Sequence, residues 1–132
     1  MQFRFGPTVI SLNLPTKAAL LDAVRARLTA RQGFALATIN MDHMVKLHRS
    51  DSFRAAYAAH DLVCADGNPI VWLSRLAGQP VDLVPGSDMV VPMLQTAAEC
   101  GRSVAFVGST DEPLGAAAAW AVQTVPGLIV VR

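Results

Sequence analysis

An acidic residue follows an apolar segment that ends abruptly near the middle of the chain. The segment Leu62 to Ala65 has the composition of a buried strand, and Asp66 and Gly67 come directly after it. In an open parallel α/β sheet, ligands bind in the crevice outside the carboxyl ends of the strands. Asp66 is therefore the leading candidate for chemistry, because a carboxylate at that edge can accept a proton from an attacking hydroxyl group.

A second strand exit carries polar residues that suit the same site. Phe34 to Ile39 is a continuous apolar run typical of a buried parallel strand, and Asn40 follows it. If the two strands are neighbours, Thr38, Asn40 and Asp66 meet at one edge, where an amide can hold the acceptor or the carboxylate. Structural roles remain open: a turn at Asp66, a helix cap at Asn40, and a core strand position at Thr38.

The elements that must position these residues alternate between strands and helices. The other predicted strands are Val9 to Leu12, Val104 to Val107 and Leu128 to Val131. Strands that are apolar throughout and alternate with helices indicate a parallel sheet covered on both faces. The sequence therefore predicts an α/β fold with a Rossmann-like parallel sheet and helices on both faces, incomplete at its C-terminal end because no helix follows the last strand.

Capping residues indicate where the intervening helices begin. The predicted capping residues are Thr16, Ser50, Asn68 ahead of Pro69, Ser87 or Asp88, and Ser109 in a capping box with Glu112. Gly33 is predicted to end the first helix. Pro92 must lie near the first turn of its helix or bend it.

Composition limits the classes of function. A chain of 132 residues fits one domain, so we expect a single domain over residues 1–132. The net charge of +1 provides no basic surface for nucleic acid, which excludes it as an expected partner. The sequence shows no signal peptide and no apolar run of about 20 residues, which predicts a cytoplasmic protein. Cys64 and Cys100 form no CxxC pair and are expected to be reduced thiols.

Several other kinds of site lack the residues that they need. His43 and His48 are five positions apart and do not stack on a helix, and His60 has no obvious partner, so we predict no metal and place all three at the surface or at helix ends. No G-x-G-x-x-G follows a strand, which argues against a dinucleotide oxidoreductase and a bound cofactor. The larger aromatic residues are interpreted as core or interface anchors rather than sugar-stacking platforms: Phe53, Tyr57, Trp72 and Trp120.

Three short motifs resemble, in order and spacing, those of the WecG/TagA/CpsF group of glycosyltransferases. They are Thr38-Ile39-Asn40, Ala65-Asp66-Gly67 and Val84-Pro85-Gly86-Ser87-Asp88. The strand at Val104, the alanine-rich helix after it and Pro126-Gly127 are also similar to that group. The resemblance extends from about Val9 to the end of the sequence.

The resemblance implies an inverting transfer of a hexose or N-acetylhexosamine from a UDP-sugar to a lipid-linked saccharide, during synthesis of cell-surface polysaccharides. The best-known members of the group use N-acetylmannosamine and depend on no metal. By matched position, Asp66 is the general base and Thr38, Asn40 and Gly67 belong to the substrate pocket. Gly86 and Asp88 match a loop and the start of a helix, where a structural role is equally expected.

The same resemblance implies a cytoplasmic enzyme, at most peripheral at the inner face of the plasma membrane, that can form homo-oligomers.

Two departures from the group matter. Leu83 stands where the group usually has an Arg suited to a diphosphate leaving group, and Arg75 is the nearby cation. Members of the group also continue further, and here only the segment Gly108-Ser109-Thr110 offers amides to a phosphate. A non-catalytic domain that binds a ligand or a partner therefore remains the alternative.

Overall fold

The computed structural model describes residues 1–108 and 110–131 and contains six strands and six helices in those ranges. In chain order they are β1 (Gln2–Phe5), β2 (Thr8–Ser11), α1 (Lys17–Thr29), β3 (Leu36–Ile39), α2 (Met41–Arg49), α3 (Asp51–Ala58), β4 (Leu62–Ala65), α4 (Asn68–Leu76), α5 (Gly86–Glu99), β5 (Ser103–Ala105), α6 (Asp111–Thr124) and β6 (Ile129–Val131). The predicted α/β class is confirmed.

The described strands pair as three two-stranded sheets. Strands β3 and β4 are parallel, with Leu36 opposite Leu62 and Ile39 opposite Ala65, and β5 and β6 are also parallel. Strands β1 and β2 form an antiparallel hairpin that the sequence analysis did not predict. Within this hairpin the predicted strand at Val9 begins one residue earlier, at Thr8. Two of these three pairs are thus parallel, as predicted for the sheet, and the hairpin adds an antiparallel element at the amino end.

Helices cover both faces of the β3–β4 pair. Side chains alternate across a strand, so neighbouring residues of β4 enter different cores. Val63 and Ala65 pack with residues of α2, α3 and α4, whereas Leu62 and Cys64 pack with residues of α1 and α5. This arrangement agrees with the predicted Rossmann-like layering and explains why every residue of β4 is buried.

A third core lies between α5, α6 and the β5–β6 pair. It is formed by Leu94 and Ala97 of α5, by Ala121 of α6, and by Val125 and Leu128 in the segment that leads to β6. The middle residues of β5 and β6 pack against this core, while the residues on either side of them are exposed. Helix α5 therefore joins the third core to the core beneath β4.

The first helix is capped as predicted but ends earlier. The Thr16 hydroxyl accepts a hydrogen bond from the Ala19 amide at 3.1 Å, and the Ser50 hydroxyl likewise caps α3 by accepting from the Phe53 amide at 3.2 Å. Helix α1 ends at Thr29, so the prediction that Gly33 ends it is wrong. Arg31 takes the left-handed conformation, with φ of 54°, and the following amide closes onto the helix, which stops it before the glycine is reached.

Two other predicted caps are wrong. Asn68 is the first residue of α4 rather than its cap, because Gly67 occupies the cap position without a side chain. Helix α5 begins at Gly86 after Pro85, so Ser87 and Asp88 lie within its first turn.

The predicted cap at Ser109 lies outside the described residues. Helix α6 begins at Asp111, after Thr110 at the cap position. Pro92 lies inside α5 rather than in its first turn, and the Thr96 hydroxyl donates a hydrogen bond to the Pro92 carbonyl at 2.8 Å.

The aromatic residues divide between core and surface. Tyr57 is buried and Phe53 is half-buried, as a core role requires, but Trp72 is 62% exposed and Trp120 is 46% exposed. A core position is therefore wrong for both tryptophans, and their role as interface anchors stays a prediction. On α4 the buried positions are Ile70, Val71 and Ser74, and Trp72 lies outside this set.

Cys64 and Cys100 are both free thiols, as predicted. Within residues 1–108 and 110–131, no helix combines the length and apolar character that a membrane span needs.

Candidate active site

Asp66 lies at the carboxyl end of β4, next to the exit of β3. Ile39 and Ala65 are paired across the two strands, so the next residues, Asn40 and Asp66, leave the sheet at the same edge. The Asp66 amide donates a hydrogen bond to the Ile39 carbonyl at 2.8 Å, which holds the half-buried aspartate beside the end of β3. The two predicted strand exits are therefore brought together.

The start of α5 closes one side of the Asp66 carboxylate. The Gly86 amide donates to Asp66 Oδ2 at 3.4 Å. A methyl group added at Gly86 would lie 3.4 Å from Thr38 Oγ1 and 3.7 Å from Asp66 Oδ2. Thr38, Asp66 and Gly86 thus form one cluster, in which the glycine leaves space beside both side chains.

Among residues 1–108 and 110–131, the Asp66 carboxylate has no basic side chain as an ion-pair partner. The ion pairs among the described residues are Arg25 with Glu99, Lys46 with Asp42, and Arg54 with Asp51. Because α5 begins at Gly86, the positive end of its dipole and a backbone amide face the Asp66 carboxylate instead. This contact orients the carboxylate without neutralising it by a salt bridge.

Two ionisable side chains near Asp66 are poor proton acceptors at neutral pH. Burial raises the pKa of the Cys64 thiol to about 11, and the charge of Asp66 adds to this effect. Burial also raises the pKa of Tyr57 well above its usual range, with smaller contributions from Cys64 and Asp66. Both groups therefore keep their protons at neutral pH.

Asn40 caps helix α2 and also lies at the edge of the site. Its Oδ1 atom accepts a hydrogen bond from the His43 amide at 2.9 Å. The His43 ring is half-buried, and its Nδ1 atom lies 3.2 Å from the Tyr57 hydroxyl. His43 was predicted at the surface or at a helix end, and it lies in the first turn of α2. Its contact with Tyr57 was not predicted, because residues on two different helices carry no common spacing.

Gly67 and Asp88 have positions that are explained by the backbone. Gly67 has φ of 103°, a conformation that favours glycine, and precedes α4. Asp88 is exposed in the first turn of α5, where a negative charge complements the helix dipole. Within the described residues, Asp88 shares no hydrogen bond with Thr38, Asn40 or Asp66, and its polar side-chain contact is with Ser87 at 3.4 Å.

No cation stands at the position three residues before Gly86. Leu83 is 40% exposed there, and Arg75 is exposed near the end of α4.

A cavity of about 450 Å³ lies elsewhere, between α6 and β6, with Phe106, Asp111 and Leu114 among its lining residues. Among its described lining residues the charged side chain is that of Asp111, and Ser109 of the predicted phosphate segment lies outside the described residues. No group of three His, Cys, Asp or Glu side chains suited to a metal occurs in the part of the chain that the structure describes.

Comparison with known proteins agrees with the motifs at this site. The sequence model of the glycosyl transferase WecG/TagA/CpsF family matches residues 8–132, which include the whole cluster around Asp66. No curated protein and no solved structure gives a significant match to the chain. The match over nearly the entire sequence shows that the chain belongs to the WecG/TagA/CpsF family of glycosyltransferases.

Proposed function

We propose that this protein transfers a hexose or N-acetylhexosamine from a UDP-sugar to a lipid-linked saccharide, with inversion at the anomeric carbon and Asp66 as the general base. The single observation that carries the assignment is the Asp66 carboxylate at the β3–β4 edge, oriented by the Gly86 amide and lacking a basic partner among the described residues. Thr38, Asn40, Gly67 and Gly86 form the surrounding pocket in this proposal, and Asp88 supports the start of α5.

The proposed reaction is a single displacement. Asp66 accepts the proton of an acceptor hydroxyl group while the hydroxyl oxygen forms a bond to the anomeric carbon. The bond between that carbon and the diphosphate oxygen breaks, and UDP leaves with the electron pair. Because the oxygen attacks opposite the leaving group, the configuration at the anomeric carbon inverts. No metal takes part in this proposal.

The setting of the protein follows from the proposed acceptor. A lipid-linked saccharide lies in a membrane, so the protein must reach the membrane surface, and we propose peripheral contact from the cytoplasmic side. We also propose that residues 1–132 form one domain and that copies of it can associate. The shared role of α5 in two cores supports the first of these proposals.

Leu83 favours a second candidate function. An aliphatic side chain cannot neutralise the charge that develops on a departing diphosphate. The cation that the family usually places here is missing, which is the pattern expected of a domain that binds a ligand or a partner without catalysis. The two candidates differ in whether the bound sugar nucleotide reacts.

Asp66→Asn tests the enzyme assignment, because it preserves shape and removes proton acceptance. We expect the rate of sugar transfer from UDP-N-acetylmannosamine to a lipid-linked saccharide to fall by about 10²- to 10⁴-fold. Binding of UDP, measured by calorimetry, should remain near that of the native chain. Asp82→Asn is the matched control, since Asp82 is an exposed carboxylate in the loop before α5. Equal transfer rates for the two variants would exclude Asp66 as the base.

Leu83→Arg separates the two candidates. An enzyme with a weakened leaving-group site should gain about tenfold or more in transfer rate, because the new guanidinium group stabilises the diphosphate. A binding domain should gain nucleotide affinity without any transfer. Retained UDP binding with no transfer by both the native chain and this variant would favour the binding domain.

A further inference from the structure

We propose that Ser74 is a positioning residue of this site: its buried hydroxyl group fixes the loop that brings the Gly86 amide to the Asp66 carboxylate. The catalytic consequence rests on the proposed function, whereas the connection itself is structural. We call residues 77–85, which lead from the end of α4 to the start of α5, the return loop.

The Ser74 hydroxyl group makes two hydrogen bonds inside the protein. The side chain is fully buried on α4, where Oγ donates to the Val71 carbonyl at 2.7 Å. The same oxygen atom accepts a hydrogen bond from the Val81 amide at 3.1 Å. This second bond pairs a buried backbone donor, which is costly to leave without a partner. Ser74 thus joins α4 to the return loop.

The return loop crosses the carboxyl end of β4. Val81 is buried with residues of α2, α3 and α4, and Val84 is buried with residues of α1 and α5, so the loop passes from one face of the β3–β4 pair to the other. The Val84 amide donates to the carbonyl of Ala65, the residue before Asp66, at 2.8 Å. Two residues later the Gly86 amide meets Asp66 Oδ2. The path of the return loop therefore sets the position of Gly86.

Ser74 bridges the chain segment that separates the two contacting residues. Asp66 and Gly86 are 20 positions apart, and the chain between them leaves along α4 and comes back along the return loop. The hydrogen bond between Ser74 and Val81 joins the outgoing and the returning parts across seven positions. Because the entropic cost of holding two chain positions together grows with the length of free chain between them, this bridge makes it easier to hold Gly86 beside Asp66.

Hydrogen exchange of backbone amides, followed by NMR, tests the connection without any substrate. Ser74→Ala removes the bridge, and Thr96→Val is the matched control, because Thr96 is also buried and its hydroxyl group donates within its own helix, to the Pro92 carbonyl. We expect the Val84 and Gly86 amides to exchange about tenfold or more faster in Ser74→Ala than in the native chain. In Thr96→Val both rates should stay within about threefold of native.

The rate of sugar transfer from UDP-N-acetylmannosamine to a lipid-linked saccharide tests the catalytic consequence. At a temperature at which every variant is folded, the kcat of Ser74→Ala should fall about tenfold or more, because a displaced Gly86 amide no longer orients the base. Its KM for the sugar nucleotide should stay within about threefold of native. Ser74→Cys, whose thiol is a weaker acceptor, should give a smaller loss of kcat, and Thr96→Val should keep the native value.

Native exchange rates at the Val84 and Gly86 amides in Ser74→Ala, or an equal acceleration in Thr96→Val, would overturn the inference and leave the proposed function intact. A native kcat in Ser74→Ala would overturn it as well. A native chain that transfers no sugar would overturn the proposed function, and faster exchange in Ser74→Ala alone would then still support the connection between Ser74 and Gly86.

Discussion

The two parallel strand pairs of this protein are covered in different ways. Both faces of the β3–β4 pair are packed against helices, and Asp66 follows one of its strands. The β5–β6 pair packs one face against α5 and α6 and leaves residues such as Ile129, which is 57% exposed, on the other. A carboxylate held by a strand that is packed on both sides has a defined direction, which a catalytic group requires. The proposed catalytic carboxylate therefore follows the strand pair that is packed on both faces.

The largest expected difference between the two strand pairs is in the free energy of unfolding that is lost when one isoleucine of each pair is replaced by alanine. Ile39→Ala in β3 removes a fully buried side chain and should lower the free energy of unfolding by about 2–5 kcal/mol. Ile129→Ala in β6 is the matched control and should cost less than about 1 kcal/mol, because its side chain is largely in solvent. Urea denaturation measures both values. Equal losses would show that the exposed face of β6 is covered in solution.

Replacing a glycine by alanine should lower stability at the start of α4 and raise it inside α6. Gly67→Ala forces a side chain into a positive φ at the start of α4 and should cost about 1–2 kcal/mol. Gly115 lies inside α6, and an added methyl group there meets no described atom within 4 Å beyond the adjoining residues and the backbone of the helix itself. Gly115→Ala should therefore stabilise by about 0.5–1 kcal/mol. Thermal unfolding of both variants checks the signs. A stabilising Gly67→Ala would contradict the conformation described for that residue.

Removing the hydroxyl group at a helix cap should give a smaller difference in stability between α1 and α6. Thr16→Ala removes the hydroxyl that caps α1, a helix packed on the β3–β4 pair, and should cost about 1 kcal/mol. Thr110→Ala at the start of α6 should change stability by less than about 0.5 kcal/mol, since within the described residues its side chain makes no capping bond. Denaturant midpoints distinguish the two. A larger loss at Thr110 would reverse the comparison.

The Cys64 thiol should make the stability of the core beneath β4 sensitive to pH in alkali. The pKa of the Cys64 thiol is about 11 in the folded chain and 9.0 ordinarily, so above pH 9 the unfolded state releases this proton first. Stability from this group is complete below pH 9 and should decline as the pH rises toward 11. Melting temperatures of the native chain and of Cys64→Ala measure the difference. Parallel pH profiles for the two proteins would rule out the contribution of Cys64.

Local sequence patterns predicted the elements well where the signal lies within one segment. Leu62 to Ala65 is a strand with the predicted bounds, and the hydroxyls of Thr16 and Ser50 cap helices as expected. Predictions were wrong where the backbone conformation, and not a capping side chain, decided where a helix begins or ends. Arg31 ended α1 before Gly33, and Pro85 preceded an α5 that starts before Ser87. Because a helix end depends on closing bonds from later amides, one residue type cannot specify it.

The candidate site was predicted only in part, because some of its contacts join segments that are remote in sequence. Asp66 and Asn40 were identified because each follows an apolar strand, and the parallel register places those strand ends together. The close approach of Gly86 to Thr38 and Asp66 depends on the path of the loop before α5, and the contact of His43 with Tyr57 depends on how two helices pack. Neither has a spacing along the chain that reveals it.

By itself, the sequence of this protein determined the alternation of strands and helices, the identity of the acidic residue at a strand exit and the family motifs, since hydrophobic periodicity and short motifs are local properties. Tertiary structure alone decided that the amide of Gly86 meets the Asp66 carboxylate, that the Asn40 oxygen is already engaged, and that Trp72 lies at the surface. These outcomes depend on distances between segments remote in sequence, and such distances are set by packing.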